Sequence, residues 1–140
     1  MFDYDYRLED GAAAFTVSAA GAIGATAQIV SLGEGRMHGE MIIDVTALEI
    51  ASNNEYYDLQ LQGSTDSAFG GTITALSQIK LGAKEVLSGD QDSAVGRYRV
   101  PFCTEQPDGT IYPYARVYAA LGGSVTTGIT FSARLEKARA

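Results

Sequence analysis

Apolar and polar residues alternate along this chain from about Arg36 to Leu135. Tyr57, Leu59 and Leu61 alternate with polar residues, and residues 129–135 repeat the same pattern. Successive side chains of a β-strand point to opposite faces, so this period of two predicts strands with one buried face. Gly, Asn, Asp or Pro interrupts the pattern about every ten residues, which is typical of strands joined by turns. The sequence therefore predicts an all-β domain with about eight antiparallel strands packed as a sandwich.

Three irregularities refine this prediction. The apolar parity of residues 37–45 shifts at Leu48, which predicts a β-bulge near Thr46 or Ala47. A second kink is expected near Ser77 in the strand over residues 73–81. Residues 112–121 and 125–135 flank Gly122-Gly123, so they are interpreted as a β-hairpin.

The N-terminal segment alternates aromatic and charged residues. With 140 residues the chain is expected to form one domain, residues 1–140, and residues 1–12 are interpreted as a strand or an extended N-terminal arm. The acidic, aromatic start is unlike a signal peptide, and no stretch is apolar enough to predict a membrane helix.

The charge balance argues against nucleic-acid and anionic membrane partners. The formal net charge is −7, from 10 basic and 17 acidic residues, and the basic residues are scattered. Proteins that bind a phosphate backbone need clustered Lys and Arg. The single cysteine, Cys103, excludes an intrachain disulfide and favours synthesis in a cytoplasm.

Candidate catalytic and metal-binding residues are few. His38 is the only histidine, and a zinc site or a catalytic triad built on histidine would have to use it. Cys103 could act as a nucleophile only if His38 lay beside it in space. Asp90 and Asp92 match two ligands of a calcium loop, but the rest of the loop pattern is missing. We therefore predict no enzyme activity, no cofactor and no metal site, with weak ion binding at Asp90 and Asp92 left open.

The tyrosines offer a candidate binding surface. The chain has eight tyrosines and no tryptophan. Tyr114, Arg116 and Tyr118 alternate along one strand and are expected to share a face. Tyr and Arg are enriched at protein interfaces, and tyrosine rings also form platforms for sugars. The residues alone leave both interpretations open.

Several sequence segments in the predicted strands resemble those of a known family. They are Tyr56-Tyr-Asp-Leu-Gln-Leu-Gln-Gly-Ser64, Gly96-Arg-Tyr-Arg-Val-Pro-Phe102, Tyr114-Ala-Arg-Val-Tyr118 and Ile129-Thr-Phe-Ser-Ala133, together with residues 73–82. Over residues 36–135 the chain resembles the capsid cement (decoration) proteins of tailed bacteriophages. These segments are strand sequences and contain no catalytic motif.

The resemblance implies a jelly-roll-like sandwich that forms a homodimer. It also implies binding to the major capsid protein on the outside of the phage head, where such proteins stabilise contacts between capsomers. The expected location is the virion, after synthesis in the bacterial cytoplasm. The candidate interface residues are Phe2, Tyr4, Tyr6 and Arg7 in the arm, and Tyr114, Arg116 and Tyr118 in the tyrosine strand.

Two other functions are weighed against this one. A carbohydrate-binding or adhesin-like sandwich would use an exposed tyrosine platform, and Asp90 and Asp92 could then hold calcium. A cupin-type enzyme would need several histidine ligands on adjacent strands, whereas this chain has one histidine.

Overall fold

The computed structural model describes residues 6–24 and 26–137 and folds them into antiparallel β-sheets. The strands are β1 (Arg7–Asp10), β2 (Ala19–Ala20), β3 (Ala22–Ile23), β4 (Thr26–Ala27), β5 (Val30–Ser31), β6 (His38–Leu48), β7 (Tyr56–Ser64), β8 (Ile73–Gly82), β9 (Gly96–Cys103), β10 (Tyr114–Gly122) and β11 (Ile129–Lys137). A single-turn helix, α1 (Lys84–Leu87), lies between β8 and β9.

Two sheets form the sandwich. The four-stranded sheet has the order β1-β11-β6-β9, and the five-stranded sheet has the order β2-β10-β7-β8, with β5 also paired to β10. When β1, β2 and β6 to β11 are numbered as eight successive strands, the two orders become 1-8-3-6 and 2-7-4-5. Consecutive strands thus repeatedly cross between the sheets, as in a jelly roll. The predicted all-β sandwich is confirmed, and its topology is jelly-roll-like.

The core lies between the inner faces of the two sheets, as the alternation predicts. Tyr57, Leu59 and Leu61 of β7 are fully buried, and so are Phe131 and Leu135 of β11. Phe15 extends this core from the loop after β1, because its ring stacks on Phe131 with centroids 5.0 Å apart. Each of these strands therefore buries one face and leaves the alternate residues on the outer face.

Both predicted kinks are β-bulges. Ala47 pairs with Thr130 but Val45 pairs with Phe131, so Thr46 is the extra residue in β6. In β8, Ser77 pairs with Leu61 while Ala75 pairs with Gln62, so Leu76 is the extra residue. A bulge reverses the inward and outward parity of a strand, which explains why the apolar pattern shifts at each position.

The predicted hairpin across Gly122-Gly123 is wrong. β10 pairs with β7 in the five-stranded sheet, whereas β11 pairs with β6 in the four-stranded sheet. The glycines instead form the tight link between the sheets: Gly123 has a φ of +88°, and a Cβ there would lie 2.1 Å from the Asn54 carbonyl oxygen. A glycine pair predicts a turn, but it does not predict which strands the two flanking strands will pair with.

Of the two interpretations of residues 1–12, a strand or an extended arm, the structure shows the strand over residues 7–10. Arg7–Asp10 form β1, an edge strand that pairs with β11. Leu8 is 0% exposed in the core, Glu9 is 5% exposed, and Tyr6 packs partly buried against the same core. These residues are integral to the sandwich because they bury side chains that a free arm would leave in water. Residues 1–5, which include Phe2 and Tyr4, lie outside the described residues.

Candidate functional site

The outer face of the five-stranded sheet carries the tyrosine strand. Ala115, Val117 and Ala119 of β10 are 0% exposed and point inward, so the alternate residues of this strand lie on the outer face. We call this surface the Arg116 face. Its members on the paired strands β10, β7 and β8 are Tyr114, Arg116, Tyr118, Ala120, Asp58, Gln60, Gln62, Gln78 and Lys80.

A row of hydrogen bonds runs along the centre of the Arg116 face. The Arg116 Nε donates to the Gln62 Oε1 over 2.9 Å, and the Gln62 Nε2 donates to the Gln60 Oε1 over 3.0 Å. The Gln60 Nε2 in turn donates to the Asp58 Oδ2 over 3.0 Å. All four side chains are partly buried. Each amide in the row is therefore oriented by the next, which fixes the position of the guanidinium at its end.

Two aromatic rings lie against the same guanidinium. The Cζ atom of Arg116 lies 4.5 Å from the ring centroid of Phe69 and 5.4 Å from that of Tyr118. Both distances fall within the range of cation–π attraction. Phe69 is only 8% exposed, so its ring lies beneath the arginine rather than open to water.

The loop over residues 65–72 places Phe69 at this position. The Asp66 carboxylate accepts hydrogen bonds from the backbone N–H groups of Ala68 and Gly70, each over 3.0 Å. The Phe69 N–H donates to the Asp66 carbonyl oxygen over 2.9 Å. This turn holds Phe69 at a φ of +55°, in the left-handed region that bulky side chains avoid. Such a conformation costs about 1–3 kcal/mol and persists only where the surroundings impose it.

The outer face of the four-stranded sheet is different, because its arginines are paired with carboxylates. Asp44 accepts from Arg97 over 2.7 Å and from Arg134 over 3.3 Å. The hydrogen bond from Arg97 is the main cause that lowers the pKa of Asp44 below its ordinary value. Arg99 lies 3.4 Å from Glu40 and 3.7 Å from Glu136. Arg97, Arg99 and Arg134 on this face are thus each engaged by a carboxylate of the same chain.

Other carboxylates hold the backbone of loops. The Glu49 Oε1 accepts from the N–H groups of Thr126, Thr127 and Gly128 over 2.7–2.9 Å. These bonds, with that from Gly128 first, lower the pKa of Glu49. Glu9 accepts from Gly11 and Ala22, each over 2.8 Å, but its burial outweighs these bonds and raises its pKa.

A buried tyrosine also serves the fold. The Tyr57 hydroxyl donates to the Glu49 carbonyl oxygen over 2.7 Å. Burial, followed by the nearby Glu49 and Glu55 charges, raises the pKa of Tyr57 to about 12. A phenol in this state keeps its proton and acts as a structural hydrogen-bond donor.

The structure brings His38 and Cys103 to opposite positions of the β6–β9 pair. His38 is exposed and Cys103 is half-buried, both at the end of the four-stranded sheet. Side chains at directly opposite positions of an antiparallel pair have Cβ atoms roughly 4.5–5.5 Å apart. Among the described residues, no group of three or more His, Cys, Asp or Glu side chains could hold a metal ion.

The two aspartates of the calcium-like fragment take separate positions. The Asp92 Oδ1 accepts from the Lys84 N–H over 2.9 Å, so it secures the start of α1. Asp90 is exposed in the following turn. The acids on strands are likewise divided, since Glu40 and Asp44 lie on the four-stranded sheet and Asp58 lies on the five-stranded sheet.

The candidate interface residues do not form one surface. Tyr114, Arg116 and Tyr118 lie together on the five-stranded sheet, whereas Tyr6 and Arg7 lie at the edge of the four-stranded sheet. Sequence reasoning missed Phe69, Gln60 and Gln62 as neighbours of Arg116. The available signal for the glutamines was their position on the polar side of β7, opposite Tyr118 and Arg116 in register.

No protein-family model matches this chain, and no curated protein matches its sequence. Within the described residues, no helix is both long and apolar enough to cross a membrane.

Proposed function

We propose that this chain is a virion structural protein that binds the outside of an assembled tailed-phage head. It acts there as a cement or decoration protein, contacts the major capsid protein and stabilises the junctions between capsomers. The role needs no catalytic group and no cofactor. The proposal begins from the resemblance of the strand segments to those of this family of head proteins.

The observation that carries the proposal is the ordered surface of the Arg116 face. Tyr114, Arg116 and Tyr118 lie side by side on it, and Arg116 is held by Gln62 and two rings. Interface hot spots are enriched in Tyr and Arg, and side chains that are already ordered lose little entropy on binding. A sheet face with these features fits docking onto another protein better than it fits a catalytic role.

The net charge agrees with an outside position. A chain of charge −7 is repelled by packaged DNA, and the outside of a shell keeps it away from that DNA. The jelly-roll-like topology is also a common architecture of capsid domains.

Stabilisation of a shell follows from linkage. A protein that binds only the assembled lattice lowers the free energy of that lattice relative to dissociated subunits. If the chain is a homodimer, as proposed, its two copies bind neighbouring capsomers with a high effective concentration. Each contact can then be modest while the shell as a whole resists rupture.

Co-sedimentation with shells of the cognate major capsid protein tests this function. We expect saturable binding, a dimer mass by light scattering and a higher rupture temperature for decorated shells. Folded protein that fails to bind expanded shells at micromolar concentration would overturn the proposal. A monomer that still binds and stabilises shells would overturn only the dimer.

A further inference from the structure

Arg116 lacks the ion pair that four other described arginines form with carboxylates of this chain. Arg36, Arg97, Arg99 and Arg134 each lie within 2.7–3.7 Å of a carboxylate oxygen of this chain. Arg116 forms no such pair within the described residues, although the chain has 17 acidic residues. Its contacts are the neutral amide of Gln62 and the two aromatic rings.

Part of the guanidinium remains available. The Nε of Arg116 is occupied by Gln62, but no hydrogen bond to its Nη1 or Nη2 is formed by the part of the chain described. These two nitrogens form part of the planar fork that matches the two oxygens of a carboxylate. They are not among the buried side-chain atoms of the described residues that lack a hydrogen bond, so they remain open to water.

The surroundings fix the fork before any partner arrives. The hydrogen-bonded row from Asp58 orients Gln62, and the turn around Asp66 places the Phe69 ring. An exposed arginine normally loses considerable side-chain entropy when it forms an ion pair, which is why surface ion pairs contribute little. That loss is reduced here because the free chain already holds the side chain in one position.

We propose that the Nη groups of Arg116 bind the carboxylate of an Asp or Glu side chain of the capsid protein, making Arg116 the anchor of the docking face. This inference rests on the proposed function for the identity of the partner. The site itself, a preformed carboxylate receptor with the Phe69 and Tyr118 rings beside it, is a property of the chain alone.

The geometry favours an acidic protein side chain over an acidic sugar. A sugar-binding platform needs an aromatic face that is open to the sugar ring. Phe69 is 8% exposed and lies under the guanidinium, which also covers one face of Tyr118. Tyr56, farther along β7, packs its ring directly against Gly122. The rings of Phe69, Tyr118 and Tyr56 are therefore each covered on at least part of their surface, whereas a carboxylate needs only the two Nη groups of Arg116.

Two variants and one matched control test the anchor in the shell-binding assay. Arg116→Gln removes the charge, and Arg116→Lys keeps the charge but removes the fork. We expect Arg116→Gln to weaken shell binding by about 30-fold, which is the effect of a hot-spot residue. Arg116→Lys should bind shells only slightly better than Arg116→Gln. Arg99→Gln removes an arginine from the opposite outer face, where it is paired with Glu40 and Glu136, and should bind as wild type. Circular dichroism and urea midpoints confirm that each variant is folded.

The outcomes separate this inference from the proposed function. If the wild type binds shells and Arg116→Gln binds equally well, the anchor is wrong while the shell-binding function stands. If the wild type does not bind shells, the function is wrong, and the receptor is tested by NMR on arginine-labelled chain. Titration with a glutamate-rich peptide should then shift the Arg116 Nε–H signal saturably, while the Nε–H signal of Arg99, which is paired with Glu40 and Glu136, stays unchanged. If no shift were seen, the inference that Arg116 binds a carboxylate would be wrong. A shift with oligogalacturonate but not with the peptide would show that the ligand is an acidic sugar rather than a protein side chain.

Discussion

Replacing Leu8 with alanine decides whether β1 belongs to the sandwich or to a detachable arm. Leu8 is 0% exposed and packs in the central core, although β1 is an edge strand of four residues. Truncating a buried leucine to alanine costs about 2–5 kcal/mol, because transfer free energy is lost and a cavity remains. At the edge of the sheet the cavity can partly collapse, so we expect about 3 kcal/mol. That is a large share of the roughly 5–15 kcal/mol by which a domain is stable.

Urea unfolding followed by far-UV circular dichroism measures this cost, since the chain has no tryptophan for fluorescence. With a slope of roughly 1–3 kcal/mol per M, a loss of about 3 kcal/mol lowers the midpoint by about 1–3 M. Val17→Ala is the matched control, because Val17 is 69% exposed and its truncation should change stability by less than about 0.5 kcal/mol. If Leu8→Ala shifted the midpoint no more than Val17→Ala does, β1 would contribute nothing to the core and our reasoning would be refuted.

Three further substitutions, one of them with a matched control, probe the core, a loop and a tight turn. Phe131→Ala should cost about 3–5 kcal/mol in urea unfolding, because its ring is fully buried against Phe15, and a cost below about 1 kcal/mol would show that this face is not the core. The lowered pKa of Glu49 means that its stabilisation is complete above the ordinary carboxyl pKa of 4.5 and is lost as the pH falls through the lower folded value. Glu49→Gln should therefore flatten the acid limb of the stability profile, and an unchanged limb would contradict this assignment. Gly128→Ala should cost more than about 2 kcal/mol, since φ is +73° and a Cβ would lie 1.8 Å from the Phe15 carbonyl oxygen, whereas Gly109→Ala, with φ of +88° but open space, should cost only about 1 kcal/mol.

The burial pattern could be predicted because it depends on the order of apolar and polar residues within each strand. In β7 and β11 each residue alternates between water and the core, so Tyr57 and Phe131 could be assigned to the core without knowledge of their neighbours. The bulge at Thr46 was equally visible, because one extra residue reverses the parity of everything that follows. These features depend on sequence spacing within a single strand.

Strand pairing depends on distant segments and was not predictable in the same way. Gly122-Gly123 has the composition of a hairpin turn, but β10 pairs over its whole length with β7, whose residues lie 50 to 66 positions earlier in the chain. Residues 2–9 alternate apolar and charged side chains, a pattern that a strand and an extended arm share, and only the pairing of β1 with β11 shows that Leu8 is buried. A period of two predicts which side of a strand is apolar, but it does not predict the strand beside it.

The candidate site was predicted in part for the same reason. Tyr114, Arg116 and Tyr118 were grouped correctly because they alternate along one strand. Phe69 could not be assigned to them, since it reaches the face from a loop 47 residues before Arg116 in a backbone conformation that depends on Asp66. Side chains that come together through a loop carry no periodic signal.

The contrast between the two outer faces supports the proposed docking on the less charged one. On the four-stranded sheet, Arg97 and Arg134 share Asp44, and Arg99 is paired with Glu40 and Glu136. A partner carboxylate would have to displace one of these carboxylates, so the new ion pair would form at the expense of an existing one. On the five-stranded sheet, Arg116 is oriented by neutral groups, so a partner carboxylate adds an interaction without breaking one. We therefore expect the net electrostatic gain on binding an acidic partner to be larger on the five-stranded sheet, even though it presents fewer charges.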